Sequence, residues 1–193
     1  MKDLAMNFTR RTVFAAAFAL ASVAGPLATS AAHAQPSRER LVAESRAALD
    51  RLYATEPRTR NLSRHARAVL VFPSILKGAF VVGAQSGDGV LFTGGKPSGF
   101  YNISAASFGL QAGGQKFSTV LFFMNDRAVN YLSDSAGFSI GSEPNIVVVK
   151  TGAALEANTT NATQDVYIVP FGQKGLMAGV DVQASKITRV HPD

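Results

Sequence analysis

The chain has no cysteine, and that absence removes a disulfide framework, a thiolate zinc site and a lipid-modified cysteine together. Histidine is almost as scarce. Of the three, His33 falls in the leader region and His191 lies at the end of the sequence, a poor place for a rigid general base. His65 sits among arginines, whose charge disfavours its protonation, and it suits a surface turn. No Gly-x-Ser-x-Gly elbow occurs, so a Ser-His-Asp hydrolase lacks both its nucleophile motif and its imidazole. Closely spaced His, Asp or Glu ligands are also missing, which leaves no metal-binding pattern. Asp88, Asp126, Asp165 and Asp181 could meet in space, but Asp88 suits a turn, Asp126 a helix start and Asp181 the polar face of a strand. The expectation is a protein that is not an enzyme and carries no cofactor; a hydrolase built on carboxylates stays a minor alternative.

Glycine is plentiful, with 17 residues, but it does not form nucleotide motifs. Residues 94–97 (GGKP) lack the earlier glycine of a phosphate loop and place Pro97 where Ser or Thr holds magnesium. Residues 87–92 (GDGVLF) lack the third glycine of a dinucleotide fingerprint and lie between strands. Neither nucleotide nor nucleic acid is expected as a partner.

Long apolar runs are limited to one. Lys2, Arg10 and Arg11 precede an apolar stretch over 13–23, and residues 32–34 (AHA) offer a small-x-small cleavage site, so residues 1–34 are expected to be a cleaved signal peptide. The stretch is interrupted by Ser22, Gly25 and Pro26 and falls short of the roughly 20 apolar residues of a membrane span. Residues 9–14 (TRRTVF) approach a twin-arginine export signal, and both export routes remain open. The expected location is periplasmic or secreted. Residues 35–193, about 159 in number, suffice for a single domain with a full core.

Net charge is +6, and its placement matters more than its size. Residues 35–67 hold eight arginines against four acids, whereas residues 68–193 balance eight basic residues with eight acidic ones. Within 51–67, Arg51, Arg58, Arg60, Arg64 and Arg67 meet Glu56 as the sole acid. A basic stretch beside an amphipathic helix is attracted to anionic lipid surfaces, at about 1 kcal/mol per residue.

Ser37 is positioned to cap a helix to about Thr55, with Leu41, Val42, Ser45, Ala48, Leu49, Leu52 and Tyr53 on one side. Arg40 with Glu44 and Arg46 with Asp50 stand at i and i+4, where exposed ion pairs form. Pro57 ends this helix, and a short second turn starting at Asn61 or Ser63 precedes strand 69–72. Segments 79–85 and 90–93 flank residues 86–89 (SGDG), which read as a hairpin turn, with a second turn over 94–99. Strands follow near 100–103, 107–111 and 116–124, the last apolar on both faces and therefore central. Asn125 starts a helix that buries Ala128, Val129 and Leu132 and closes at Gly137. Segments 146–149 and 166–169 complete the strand candidates before the final one, and polar residues 152–163 between them suit a loop or a short helix. The fold class is α+β: a strongly curved antiparallel sheet, open or partly closed as a β-barrel, with the N-terminal amphipathic helix and one or two further short helices.

Residues 171–180 (FGQKGLMAGV) form the most distinctive stretch, in which Gly172 and Gly175 supply positive φ or close backbone approach before period-two alternation resumes. Leu176, Ala178, Val180, Val182 and Ala184 share one face of what reads as the last strand. The stretch resembles the closing motif of the SYLF family of lipid-binding modules. Residues 68–73 (AVLVFP), 76–80 (LKGAF), 83–90 (GAQSGDGV), 101–109 (YNISAASFG), 114–115 (GQ), 121–125 (LFFMN) and 185–189 (SKITR) match in family order, covering Arg38 to about Arg189. The resemblance implies lipid or phosphoinositide binding, with actin binding in some eukaryotic members, and implies no reaction. It also implicates positive residues of the N-terminal region, which fall on Arg58, Arg60, Arg64 and Arg67 here.

The expected function is non-enzymatic binding of anionic phospholipid membranes through Arg51, Arg58, Arg60, Arg64 and Arg67, assisted by the first helix, Lys77 and Lys174. Lys174 also reads as a hairpin lysine pointing to water. An envelope interaction module using the β surface is the alternative.

Overall fold

The structure, a computed structural model, describes residues 37–134, 137–140, 145–149, 164–175 and 185–192, with backbone alone at 79–82 and 107–112. All of them lie in the compact unit Ala34–Asp193. The expected signal peptide, the polar segment 152–163 and the alternating segment 176–184 with Asp181 lie outside the described residues.

Helix α1 (Arg38–Thr55) forms as its sequence dictates. Ser37 caps it by accepting from the Arg40 amide, and Leu41, Ser45, Ala48 and Leu52 recur on one buried face. Helix α2 (Thr59–His65) begins earlier than expected and ends at Ala66, whose amide donates to the Leu62 carbonyl. Helix α3 (Asp126–Ser133) is capped by Asn125, which accepts from the Ala128 amide, and buries Ala128 and Leu132. Gly137 follows at φ +81°.

The β region departs from the expectation of many short hairpins. Two long strands, β1 (Ala68–Thr93) and β2 (Lys96–Phe123), pair antiparallel along nearly their whole length, joined by Gly94 and Gly95 at φ 57° and 75°. That two-residue turn fits the right-handed twist of the flanking strands, so the connection is shorter than the expected turn over 94–99. Breaks in register between Phe72 and Ile75, and between Phe80 and Val82, let the ribbon bend where a flat one of this length would not pack.

Residues 86–89 are consequently not a turn but the interior of β1. Their glycines serve close approach instead. A Cβ on Gly87 would stand 2.5 Å from the Ser74 carbonyl oxygen, and one on Gly89 would stand 2.5 Å from Phe72 Cδ1 and 2.6 Å from the Val71 carbonyl oxygen. The second half of β1 thus lies directly against its first half, with glycine the residue that fits.

The other edge of β2 takes two more partners. β6 (Lys186–Val190) pairs with 100–104 and β5 (Val166–Gly175) with 115–123, while β3 (Phe138–Ser139) adds to β6 and β4 (Ile146–Val148) to β5. The result is α+β, a strongly curled mixed sheet forming a half-barrel. The β4–β5 pair is parallel, a departure from the expected antiparallel pairing. β6 also corrects the expectation that the strand starting at Leu176 is the last. Residues 117–123 are buried throughout, as their two-faced apolar pattern requires.

Each face of the sheet carries its own core. Leu70, Phe72, Phe117, Leu121, Phe123, Ile168 and Ile187 pack with Leu132 of α3 on one side. Val69, Val71, Phe92, Val120, Phe122, Tyr167 and Val169 pack under Leu41, Ala48, Leu52 and Leu62 of α1 and α2 on the other. Arg38 fastens the start of α1 by donating to the Pro192 carbonyl at 2.5 Å and lying over the Phe100 ring.

Candidate functional site

The helical layer meets the sheet along a groove of about 370 Å³ beside the Gly94–Gly95 turn. Arg46 and Leu49 come from α1, Ser63 and Arg64 from α2, Ala66 to Val69 from the entry into β1, and Phe92 with the two glycines from the hairpin end. Three guanidinium groups therefore border a space floored by Leu49, Val69 and Phe92. The lining contains no carboxylate.

Arg46 is held in place. Its Nη2 donates to the Gly95 carbonyl at 3.1 Å and its guanidinium lies 5.2 Å over the Phe92 ring, a cation–π contact. It turns toward the sheet rather than forming the helix-surface pair with Asp50 that its spacing suggested; Arg40 and Glu44 do form theirs, at 2.8 Å. The neighbouring wall is fixed by Tyr53, whose hydroxyl donates to Ser63 Oγ at 2.6 Å. Burial pushes the Tyr53 phenol above its ordinary value, with Asp50 adding to the rise and the Ser63 bond and Arg60 opposing it. Ser63, which accepts from the phenol, also lines the groove. Arg60 lies 5.5 Å over the Tyr53 ring, at the outer side of this wall.

Arg67 is anchored through its backbone, since its amide donates to the Phe123 carbonyl at 2.7 Å. Its side chain is 65% exposed and 3.8 Å from an Asp126 carboxylate that is 79% exposed. Such a pair contributes little and leaves the guanidinium available.

Of the residues singled out in the sequence, the structure brings Arg64 and Arg67 together in the groove and sets Arg60 beside it. Arg51 lies about 140° round α1 from Arg46, on the opposite flank. Arg58 is exposed at the start of α2. Lys77 and Lys174 are on the sheet, opposite Gln115 and Lys116 respectively, and do not line the groove. Sequence reasoning passed over Arg46, Ser63 and the glycine turn. The signal for Arg46 was its position at i, i+3 and i+7 with Leu49 and Tyr53, the flank next to the buried face.

The carboxylates do not converge on the groove. Asp88 accepts from Asn102 at 2.8 Å on the β1–β2 ribbon. Asp165 accepts from Asn125 at 2.6 Å, from Arg127 and from Asn145. Burial alone would raise its pKa, but these bonds and the Arg127 charge bring it below the ordinary value. This cluster ties the α3 cap to β5 and has a structural role. Among the described residues no group of three or more His, Asp or Glu side chains is placed to hold a metal ion. His65 Nδ1 lies 2.8 Å from the Asn61 carbonyl on α2. In the distinctive stretch, Gly175 at φ 129° sits so close to β2 that a Cβ would be 2.3 Å from the Gly114 carbonyl oxygen. The glycine there is a packing requirement.

The described residues thus form a curled α+β sheet with an arginine-bordered groove. Residues 104–191 match the model of the Ysc84 family, described as Las17-binding protein actin regulator. Ysc84 is the SYLF domain, so the resemblance carried by the motifs stands. SYLF domains are a family of binding modules, lipid- and actin-binding in eukaryotes. The match covers most of β2, α3 and β3 to β6, and the groove residues lie N-terminal to it. Among curated proteins, none matches the chain.

Proposed function

We propose that this protein binds anionic phospholipid at a membrane surface through the arginine-lined groove. The observation that carries this reading is the convergence of Arg46, Arg64 and Arg67 around an apolar floor with no carboxylate in the lining. Guanidinium forks match phosphate oxygens in pairs, and Leu49, Val69 and Phe92 suit the less polar part of a headgroup behind the phosphate. The family description supports binding rather than catalysis. With the signal peptide expected over residues 1–34, the proposed target is the periplasmic face of a bacterial membrane, where phosphatidylglycerol and cardiolipin supply the anion. Actin is absent from that compartment, so the lipid half of the family's activity is the half proposed.

Cosedimentation of residues 35–193 with vesicles of neutral lipid, with and without phosphatidylglycerol, tests this. Binding should require the anionic lipid and fall steeply between low and physiological salt. Binding that ignores salt, or that survives replacement of Arg46, Arg64 and Arg67 by glutamine, sinks the proposal.

A further inference from the structure

On the sheet, away from the groove, strand register builds a second feature. Leu76 on β1 pairs with Lys116 on β2, and Lys116 pairs with Lys174 on β5. Residues directly opposite in antiparallel strands project from the same face, with Cβ atoms about 5 Å apart. The three side chains therefore stand in one row across three strands. Leu76 is 54% exposed, one of two large hydrophobic residues exposed among those described, and both lysines are exposed.

Two aspects of this row are unfavourable to the protein alone. Like charges directly opposite one another destabilise a sheet. Nothing nearby in sequence relieves them, for β1, β2 and β5 together carry Lys77, Lys96, Lys116 and Lys174 against Asp88 as their single acid, and Asp88 is engaged by Asn102. The surroundings are bare as well. Nothing lies within 4 Å of the position a Cβ would take on Gly78 or Gly172. The row sits on the same face as the core under α1: beyond the break in register, Ile75 joins the opposite core and Leu76 falls on the helix side, as do Val69 and Val71 before it.

We infer that Leu76, Lys116 and Lys174 form a second membrane contact, in which the leucine enters the interfacial region of an anionic bilayer while the two lysines lie at the level of the phosphates. This inference deepens the proposed function and rests on it. A bilayer fits better than an acidic protein because the row stands in the open, with nothing over the glycine backbone at Gly78 and Gly172 to grip a partner's side chains, whereas a fluid interface needs no such grip. An apolar residue between cations gains both from burial and from surface charge. Removal of the two charges should weaken partitioning about thirtyfold, at about fivefold for each lysine near an anionic surface.

The chain has no tryptophan, so Leu76→Trp in the unit Ala34–Asp193, which holds both hydrophobic cores, gives a single fluorescent reporter at an exposed position. With vesicles containing phosphatidylglycerol, the emission should shift to shorter wavelength and be quenched by lipids brominated near the headgroup end of the acyl chain. Adding Lys116→Gln and Lys174→Gln should abolish shift and quenching at vesicle concentrations where the parent is half bound. Vesicle binding with an unshifted, unquenched indole overturns the second contact and leaves the groove standing. Failure of Leu76→Trp with both lysines intact to bind the vesicles at all overturns both. A shift produced by soluble polyglutamate, without quenching by brominated lipid, overturns the bilayer in favour of an acidic protein.

Discussion

The arginine-bearing helical layer and the lysine-bearing sheet handle positive charge in opposite ways. In the helical layer, Arg38, Arg46 and Arg60 lie over Phe100, Phe92 and Tyr53, and Arg38 and Arg46 also donate to backbone carbonyls. Planar guanidinium groups stack and bridge, so a cluster of them is built into the packing and holds its shape without ligand. On the sheet, Lys116 and Lys174 stand side by side in water at the ends of flexible stems. Ammonium groups there are arranged by strand register alone. A pre-formed groove and a loose charged row would suit the two tasks proposed for them: fixing a headgroup, and adding attraction wherever charge density is high.

Groove and row both depend first on the bend of the long ribbon, because the crossing of β1 over itself brings the hairpin end to the helices. Gly89→Val should remove about 3 kcal/mol of stability, since its Cβ would stand 2.5 Å from Phe72 Cδ1 and 2.6 Å from the Val71 carbonyl oxygen. Urea unfolding with normal cooperativity and an unchanged midpoint would show that the crossing is not built as described.

The next effect separates the two flanks of α1. Replacing Arg46, Arg64 and Arg67 together by glutamine should weaken binding to anionic vesicles about a hundredfold or more, at about 1 kcal/mol per arginine, while Arg51→Gln on the opposite flank loses about fivefold at most. Equal losses from Arg51 and Arg46 in a vesicle titration would mean that diffuse charge, and not the groove, sets affinity.

A smaller effect concerns the frame behind the sheet. The folded Asp165 carboxyl is held below its ordinary 3.8, so it contributes stability that is complete above that value and is lost as pH falls through the lower folded value. Asp165→Asn should flatten the acid limb of the stability curve below about pH 4 and leave its shape above pH 6 unchanged. Thermal unfolding followed across pH gives the comparison, and a parallel acid limb in parent and variant would remove Asp165 from the account.

The smallest effect sharpens the contrast most. Lys174→Glu converts a repulsive cross-strand pair with Lys116 into an attractive one and should raise stability by about 0.5 kcal/mol, while weakening vesicle binding. A variant that is more stable and binds less well is the signature of charge retained for a partner. Unchanged binding would reduce the row to ordinary surface.

Much of the frame was legible in the sequence because it depends on neighbours. Ser37 and Asn125 capped their helices, Leu41, Ser45, Ala48 and Leu52 kept helical period, and 117–123 were apolar on both faces and became central. Gly172 and Gly175 took the positive φ expected of them. The glycines of 86–89 were misleading, since local rules read them as a turn whereas they serve a contact with residues 71–75. β6 was passed over as a strand for a related reason: five residues with a weak pattern are extended because β2 offers them an edge.

The same division holds for the sites. By itself the sequence determined that the charge surplus of residues 35–193 lies in 35–67, that no cysteine is available for thiolate or disulfide chemistry, and which residues cap, turn and alternate. Tertiary structure alone decided that Arg46 joins Arg64 and Arg67, and that Lys116 stands beside Lys174. Caps, periods and charge counts are set by residues a few positions apart, within reach of a short chain segment. Strand register, the crossing of β1 and the meeting of α1 with the hairpin end bring together residues tens of positions apart, and packing fixes those distances.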